Sequence, residues 1–265
     1  MMATLLGAQQ QLPSGVRADP GLVFRLDAGH AVTSSGTHAA GGANVDAWLD
    51  TIGGVSVTST LLARPAVGSS AGRPSIEFTR NTLDTGSDTL SNTSVGALAS
   101  LPITLAIALT RDNDAGVFDR CFWLGTGTAN SNQGICISPT AAGNDMRVLV
   151  GTGAATTVLT AGTIHANGSV IVVTAASGAT QSFLDGAAGG ATINTVNFGA
   201  TPRIDIGLRP GSISYKGHVF EVLLYNSALA QAARQRVEGY LAWKWGMQAQ
   251  LPSNHPWKSS APTTP

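Results

Sequence analysis

Apolar and polar residues alternate along much of the chain in short runs that Gly, Asn, Asp and Ser separate. Residues 22–28 (LVFRLDA) and 75–79 (SIEFT) place an apolar side chain at nearly every second position. Similar β-type runs recur at 103–110, 169–175 and 218–226. Alternation with a period of two is typical of strands that bury one face. More than ten such runs with turn residues between them predict an all-β sandwich or barrel.

The pattern changes to a helical period once, near the C-terminal end. Ala233, Val237 and Tyr240 recur three and four residues apart, which is the spacing of one face of a helix. Ser227 precedes this stretch and is the predicted N-cap. The spacing therefore predicts one helix over residues 229–246.

The two ends of the chain lack the strand pattern and are rich in Gln, Pro, Ser and Thr. Residues 1–20 are predicted to form an N-terminal arm and residues 258–265 a C-terminal tail, on either side of one β domain at 21–257. Ends with so little core of their own need a surface that holds them. Copies of this chain or other proteins are the expected partners.

Charged residues make up only 11% of the chain, and the 15 basic residues balance the 15 acidic ones. Nucleic acid is therefore not an expected partner, because a phosphate backbone selects a basic surface. No apolar run reaches the ~20 residues of a membrane helix, and no signal-peptide pattern begins the chain. A neutral, weakly charged surface suits a subunit that packs against other subunits.

The two cysteines, Cys121 and Cys136, both lie in apolar segments. Two cysteines exclude a disulfide framework and leave one bridge or none. Two reduced thiols in the core are the prediction, because a free cysteine behaves as a small buried apolar residue.

The most specific motif lies near the C-terminus, where HVFEVLLYN is followed by EGYLAWKWG and then by LPSNHPW. This order resembles the C-terminal signature of laminin-G-like, concanavalin A-like jelly-roll domains, of the kind found in bacteriophage virion proteins. The matching residues in and after the helix are Glu238, Gly239, Tyr240, Leu241, Lys244, Trp245, Gly246, Pro252, His255 and Pro256. LVFRLDA and AWLD near the other end also resemble the opening strands of that family. The resemblance covers roughly residues 20–262 and implies a jelly-roll β-sandwich with one short C-terminal α-helix.

The motif residues are predicted to have a structural role. A single helix on a β-sandwich must bury one face, and Tyr240, Leu241 and Trp245 supply large apolar surfaces for it. Gly246 is the expected C-cap, and His255 is expected to be a satisfied structural histidine. Trp257 is the one tryptophan considered as an exposed platform for a sugar ring.

Candidate sites for chemistry are few. Asp112 and Asp114 lie in the loop RDNDAG, whose oxygen-rich composition makes it a weak candidate for Ca²⁺, although Asx residues are also common turn formers. No other metal or cofactor is predicted. The ExDxE carboxylate triplet of glycosidases on this fold is absent, as are the GxSxG, Walker A and HExxH motifs. The expectation is therefore a protein that is not an enzyme.

Two functions follow from the resemblance. The first is a structural protein of a virion, made in the host cytoplasm, as a phage capsid decoration, head-fibre or tail component that binds other virion proteins and its own copies. The alternative is a lectin-like adhesion module that binds host or environmental glycans. The direction of the five tryptophans distinguishes these readings, because an exposed aromatic pair in a groove favours glycan binding. Two carboxylates meeting in a cleft would instead favour a glycosidase or lyase.

Overall fold

The computed structural model describes residues 21–32, 42–59, 64–79, 88–112, 120–126, 133–140, 145–207 and 215–262. Within these ranges sixteen strands form one sheet, and every strand pair in it is antiparallel. The sheet folds into a jelly-roll β-sandwich with a helix near the C-terminus. The predicted fold class is thus confirmed.

The strands in chain order are β1 (Leu22–Val32), β2 (Ala47–Asp50), β3 (Val57–Thr58), β4 (Ala66–Ser70), β5 (Arg73–Phe78), β6 (Leu90–Asn92), β7 (Ile103–Arg111), β8 (Phe122–Gly125), β9 (Gln133–Pro139), β10 (Asp145–Thr152), β11 (Thr156–Thr163), β12 (Ser169–Ala176), β13 (Ala179–Leu184), β14 (Ala187–Thr192), β15 (Arg203–Ile206) and β16 (Gly217–Tyr225). The α-helix is α1 (Gln231–Lys244), and short 3-10 turns cover Gly96–Leu98 and Gln248–Gln250.

The strands follow the order β11-β10-β9-β8-β15-β6-β3-β2-β1-β16-β7-β12-β13-β14, and β5 joins β4 to β16. At the two ends of this path, β11 approaches β13 and β14. Ser182 Oγ on β13 donates to the Thr160 carbonyl on β11 at 3.2 Å, and Asn194 Nδ2 donates to Thr157 Oγ1 at 2.7 Å. These contacts nearly close the sheet.

The core lies between the layers and is richest around β7. All nine residues of β7 are buried, because β16 and β12 flank this strand and α1 packs on β7 and β12. Phe24, Phe122 and Phe220 are among the largest fully buried side chains. Each such side chain contributes roughly 1.5–3 kcal/mol of burial free energy.

Helix α1 begins and ends inside the predicted range 229–246. Its N-cap is Ala230, which supplies no side-chain hydrogen bond, so the prediction of Ser227 as N-cap is wrong. The Ser227 carbonyl accepts a hydrogen bond from Thr104 Oγ1 at 2.7 Å instead. At the C-terminal end Gly246 has φ +64, and Met247 N–H donates to the Ala242 carbonyl at 2.6 Å. This is the Schellman arrangement, in which the left-handed residue is normally glycine, as the sequence predicts.

Cys121 and Cys136 are both buried, and no disulfide joins them. The Cys121 thiol donates to the Ile137 carbonyl at 3.2 Å. Burial raises the pKa of this thiol well above its usual value. Both residues therefore act as buried thiols. Separately, none of the helices described here is long and apolar enough to cross a membrane.

Candidate functional site

Two groups of polar side chains lie on different flanks of α1. Positions two residues apart on a helix point about 200° away from each other, so Glu238 and Tyr240 serve opposite flanks. Tyr240 and Lys244 face β1 and β16, where they complete a buried group that we term the sealed cluster. Arg234 and Glu238 face β13 and residues 251–257. Arg234 lines a cavity there that we term the helix cleft, and Glu238 pairs with Arg234 and His255.

The centre of the sealed cluster is the fully buried carboxylate of Glu221 on β16. It accepts hydrogen bonds from Arg25 Nε at 2.7 Å, Lys244 Nζ at 2.7 Å, Trp245 Nε1 at 2.9 Å and the Tyr240 hydroxyl at 3.0 Å. The lone pairs of a carboxylate accommodate about four donors. Glu221 therefore has its hydrogen-bonding capacity filled by protein groups.

Asp27 completes the sealed cluster from β1. Its Oδ2 accepts hydrogen bonds from Arg25 Nη2 at 2.7 Å and from Lys244 Nζ. Burial opposes ionisation of this carboxyl, but the ammonium of Lys244 and the guanidinium of Arg25 outweigh burial and lower the pKa of Asp27. Two cations thus face two carboxylates. The cluster therefore has no net charge. Removing any one of these four groups would leave an uncompensated charge in the protein interior.

Tyr240 shows why the sealed cluster is a structural element. Burial and the Glu221 carboxylate raise the pKa of its phenol well above the usual value. A tyrosine beside a carboxylate and an arginine is a reactive combination in an open cleft. Here Glu221 is fully buried and Tyr240 is 4% exposed, so the cluster offers a substrate no access.

The structure places the remaining helix motif against Trp257. A Cβ atom added to Gly239 would lie 2.6 Å from Cβ of Trp257, so only glycine permits this close approach. Trp243 Nε1 donates to the Trp257 carbonyl at 2.8 Å. Trp257 is half-buried on α1 and does not line the helix cleft. Its indole is thus half-buried, and sugar binding at Trp257 stays a prediction.

The helix cleft has a volume of about 500 Å³. Strands β12 and β13 form its floor, α1 forms one wall, and residues 252–255 form its end. The residues that line it include Thr174, Gln181, Phe183, Gly186, Gln231, Arg234, Gln235, Pro252, Asn254 and His255. Pro252 and His255 belong to the C-terminal motif, and the structure brings them to this cavity as well as to the end of the helix.

Four primary amides border the helix cleft, on Gln181, Gln231, Gln235 and Asn254. Within the part of the chain that the structure describes, none of these side chains makes a hydrogen bond. Each amide presents two N–H donors and one carbonyl acceptor. The cavity therefore offers unused donors and acceptors with no net charge of their own.

Arg234 is the cation of the helix cleft, and it is held in place. Its Cζ atom lies 3.6 Å from the centre of the Phe183 ring, and Nη1 donates to Glu238 Oε1 one helical turn away. Arg234 and Phe183 are 6% and 7% exposed. The stacked guanidinium and ring form a rigid, flat part of the wall.

His255 is fixed in one tautomer by its two contacts. Trp257 N–H donates to His255 Nδ1 at 3.3 Å, so Nδ1 is an acceptor and the ring proton lies on Nε2. Nε2 is 3.2 Å from Glu238 Oε2, to which it donates. Gly186, at φ +87, lets the β13–β14 turn approach, because an added Cβ would lie 2.7 Å from His255 Cδ2.

Asp185 lies in the same turn, behind the cleft. Its Oδ1 accepts a hydrogen bond from Val170 N–H at 2.7 Å, and its Oδ2 lies 3.7 Å from His165 Nε2. Burial raises the pKa of Asp185 to about 6, and the nearby Glu238 carboxylate acts in the same direction. Sequence inspection did not single out this carboxyl.

The calcium candidates are only partly described. Asp112 is exposed, and its N–H donates to the Lys216 carbonyl at 3.2 Å. Asp114 lies outside the described residues, so the predicted site stays a prediction. Among the residues that the structure describes, no group of three or more His, Cys, Asp or Glu side chains could hold a metal ion.

No protein-family model and no curated protein matches the sequence. Solved structures do match the fold. A Trypanosoma rangeli sialidase in complex with sialic acid superposes with a TM-score of 0.58 at 17% identity, over 84% of this chain and 33% of the sialidase chain. A structure of botulinum neurotoxin type C, whose cell entry depends on interaction with two ganglioside molecules, gives 0.55 at 8% identity, over 83% and 51%. The likeness is one of fold.

The chain thus spans a third of the sialidase and about half of the neurotoxin chain. The sialidase match corrects the expectation of a protein that is not an enzyme, because this fold forms part of the chain of an enzyme. At such low identity the activity of the sialidase remains a property of that protein. Neither matched structure is a virion protein, so the phage part of the family resemblance stays a prediction.

Proposed function

We propose that this chain is a carbohydrate-binding β-sandwich module and that the helix cleft holds the sugar. The observation that carries the proposal is the set of four cleft amides without a hydrogen-bond partner in the described chain. A sugar is an uncharged ring of hydroxyl groups, each of which donates and accepts. Primary amides match this chemistry because they also donate and accept.

The rest of the helix cleft supports the same ligand class. Arg234 and Phe183, which stack on each other and are 6% and 7% exposed, give the cleft a rigid wall behind its amides. The cavity of about 500 Å³ falls within the usual range of small-molecule sites. The likeness to a sialidase that was solved with sialic acid, and to a toxin that interacts with gangliosides, agrees with a glycan ligand.

The test is a glycan array with the full chain, followed by calorimetric titration of the best-binding sugar. The variants Gln235→Ala and Asn254→Ala each remove one cleft amide. Each lost hydrogen bond is expected to weaken binding by about tenfold. Asn44→Ala is the matched control, because Asn44 is an exposed amide residue that does not line the cleft. Equal binding by all four proteins would exclude this cleft, and no binding to any glycan would reject the proposal.

The predicted role in a virion stays a prediction. Its partners, localisation and oligomeric state are likewise untested. The two roles are compatible, because a virion component can also bind glycans. Light scattering of the full chain and of a chain without residues 1–20 would test whether the N-terminal arm mediates assembly. A monomer in both cases would contradict that expectation.

A further inference from the structure

A second hollow of about 580 Å³ adjoins the helix cleft on the surface of the β12–β13–β14 sheet. Its accessible surface is mainly apolar, and it is lined by Gly178, Ala179, Ala191 and Ile193 together with Thr174, Thr180, Gln181 and Thr192. Ile193 is 84% exposed, the highest value among the exposed large apolar side chains described. The amide-rich cleft thus has an apolar neighbour.

The strand register explains why the two hollows are continuous. Thr174 on β12 pairs with Gln181 on β13, and Gln181 pairs with Ala191 on β14. Thr174 and Gln181 line both hollows. Alternate residues of β13 share one face, so Ala179, Gln181 and Phe183 lie along a single strip from the apolar hollow to the cleft.

We propose that the helix cleft and the apolar hollow form one groove that binds an oligosaccharide of at least two sugar units. One unit lies among the amides of the cleft, the next lies against Ile193, and Gln181 contacts the linkage between them. This inference rests on the proposed function and adds the class of ligand, a chain of sugars as opposed to a single sugar.

The chemistry of each end agrees with this assignment. The cleft fixes one unit by hydrogen bonds, which require defined geometry. At the Ile193 end, Thr180 and Thr192 supply hydroxyl groups, and the apolar surface of Ile193 can cover the C–H face of a second unit. Each hollow falls within the range of small-molecule sites, so together they exceed the needs of one ring.

The experiment measures affinity against chain length. The probes are monosaccharides and the di-, tri- and tetrasaccharides that contain them, first on an array and then in calorimetric titrations with the full chain. The variant is Ile193→Ser. The matched control is Val158→Ser, because Val158 is another exposed β-branched residue, at 56% exposure, that lines neither hollow.

We expect tetrasaccharides to bind more tightly than monosaccharides, and Ile193→Ser to weaken tetrasaccharide binding by roughly tenfold without changing monosaccharide binding. Val158→Ser should change neither. Length-independent affinity, or an Ile193→Ser variant that binds all lengths like the unmodified chain, would overturn the extended groove. In that case weaker binding by Asn254→Ala would leave the proposed function standing. If no sugar of any length binds, both proposals fail.

Discussion

The sealed cluster and the helix cleft use similar residues on the two flanks of one helix. Each contains an arginine, a glutamate and an aromatic ring that α1 helps to position. In the sealed cluster the Glu221 carboxylate is filled by four protein donors. In the helix cleft the Arg234–Glu238 pair is satisfied, but the amides around it have no partner in the described chain.

This difference separates a polar group that stabilises the fold from one that is available to a ligand. Residue type alone does not separate them, because Tyr240, Glu221 and Arg25 have more reactive side chains than the amides of the cleft. What matters is whether hydrogen-bonding capacity remains and whether solvent reaches it. The comparison therefore predicts that mutations in the sealed cluster lower the stability of the fold. Mutations of the cleft amides should instead weaken ligand binding and leave stability nearly unchanged.

The largest expected effect is the loss of stability in Glu221→Gln. The amide leaves Arg25 and Lys244 facing one carboxylate, so the cluster would bury an uncompensated positive charge. We expect a loss of about 3–5 kcal/mol in urea unfolding. The control is Asp46→Asn in the Arg64–Asp46 pair, whose side chains are 26% and 18% exposed, with an expected loss of about 0–1 kcal/mol. Equal losses of unfolding free energy in the two variants would mean that the buried cluster contributes no more to stability than a partly exposed ion pair.

Asp185→Asn is expected to change how stability depends on pH. The pKa of Asp185 is about 6 in the folded chain against an ordinary value of 3.8, so the folded state holds this proton more tightly. As pH rises from 4 to 6 the unfolded chain releases the proton first, and Asp185 then costs about 3 kcal/mol above pH 6.

The asparagine keeps an oxygen for Val170 N–H and tolerates the φ of +50 at this position. Relative to the unmodified chain, the variant should therefore gain about 2 kcal/mol between pH 4 and pH 7. Urea unfolding at both pH values measures this. The same comparison, made in two chains that both carry His165→Gln, removes any contribution from the charge of His165. A stability difference that does not change with pH would contradict the prediction.

Gly239→Ala tests the contact between α1 and Trp257. The added methyl would lie 2.6 Å from Trp257 Cβ, and such overpacking costs about 1–3 kcal/mol, partly offset by the higher helix propensity of alanine. Gly96→Ala is the control, because no atom lies within 4 Å of the added methyl there. Thermal unfolding of the two variants measures their difference in stability. A Gly239→Ala protein as stable as the control would show that Trp257 moves aside.

The smallest expected effect on stability is that of the cleft variants Gln235→Ala and Asn254→Ala. Their side chains make no hydrogen bond within the described chain, so each should change the free energy of unfolding by less than about 0.5 kcal/mol. A loss above 1 kcal/mol in either variant would place the cleft with the sealed cluster as a structural element.

The period of two in the sequence predicts most strands because their buried faces are rich in β-branched and aromatic residues. It misses β14, whose sequence AAGGAT has almost no such residues. Strand β14 forms because β13 offers a ladder edge to pair with. Tertiary context, and not local propensity, decides this element.

The helix and its Gly246 cap could be predicted because their signals are local. The helix cleft could not, since it joins β13, α1 and residues 252–255, which are far apart in the sequence. One signal was available in the alternation of Ala179, Gln181 and Phe183, which places an amide beside an aromatic ring on one face. Asn254 carried no such signal, and the motif drew attention to its neighbour His255 instead.

The segment 252–255 that ends the helix cleft also determines when the protein can begin to bind. A ribosome makes the chain from its N-terminus, so all sixteen strands exist before this segment leaves the exit tunnel. The sandwich can thus assemble while its recognition site is still open at one end. The proposed site would therefore be completed by the part of the sandwich that is made last, after all of its strands.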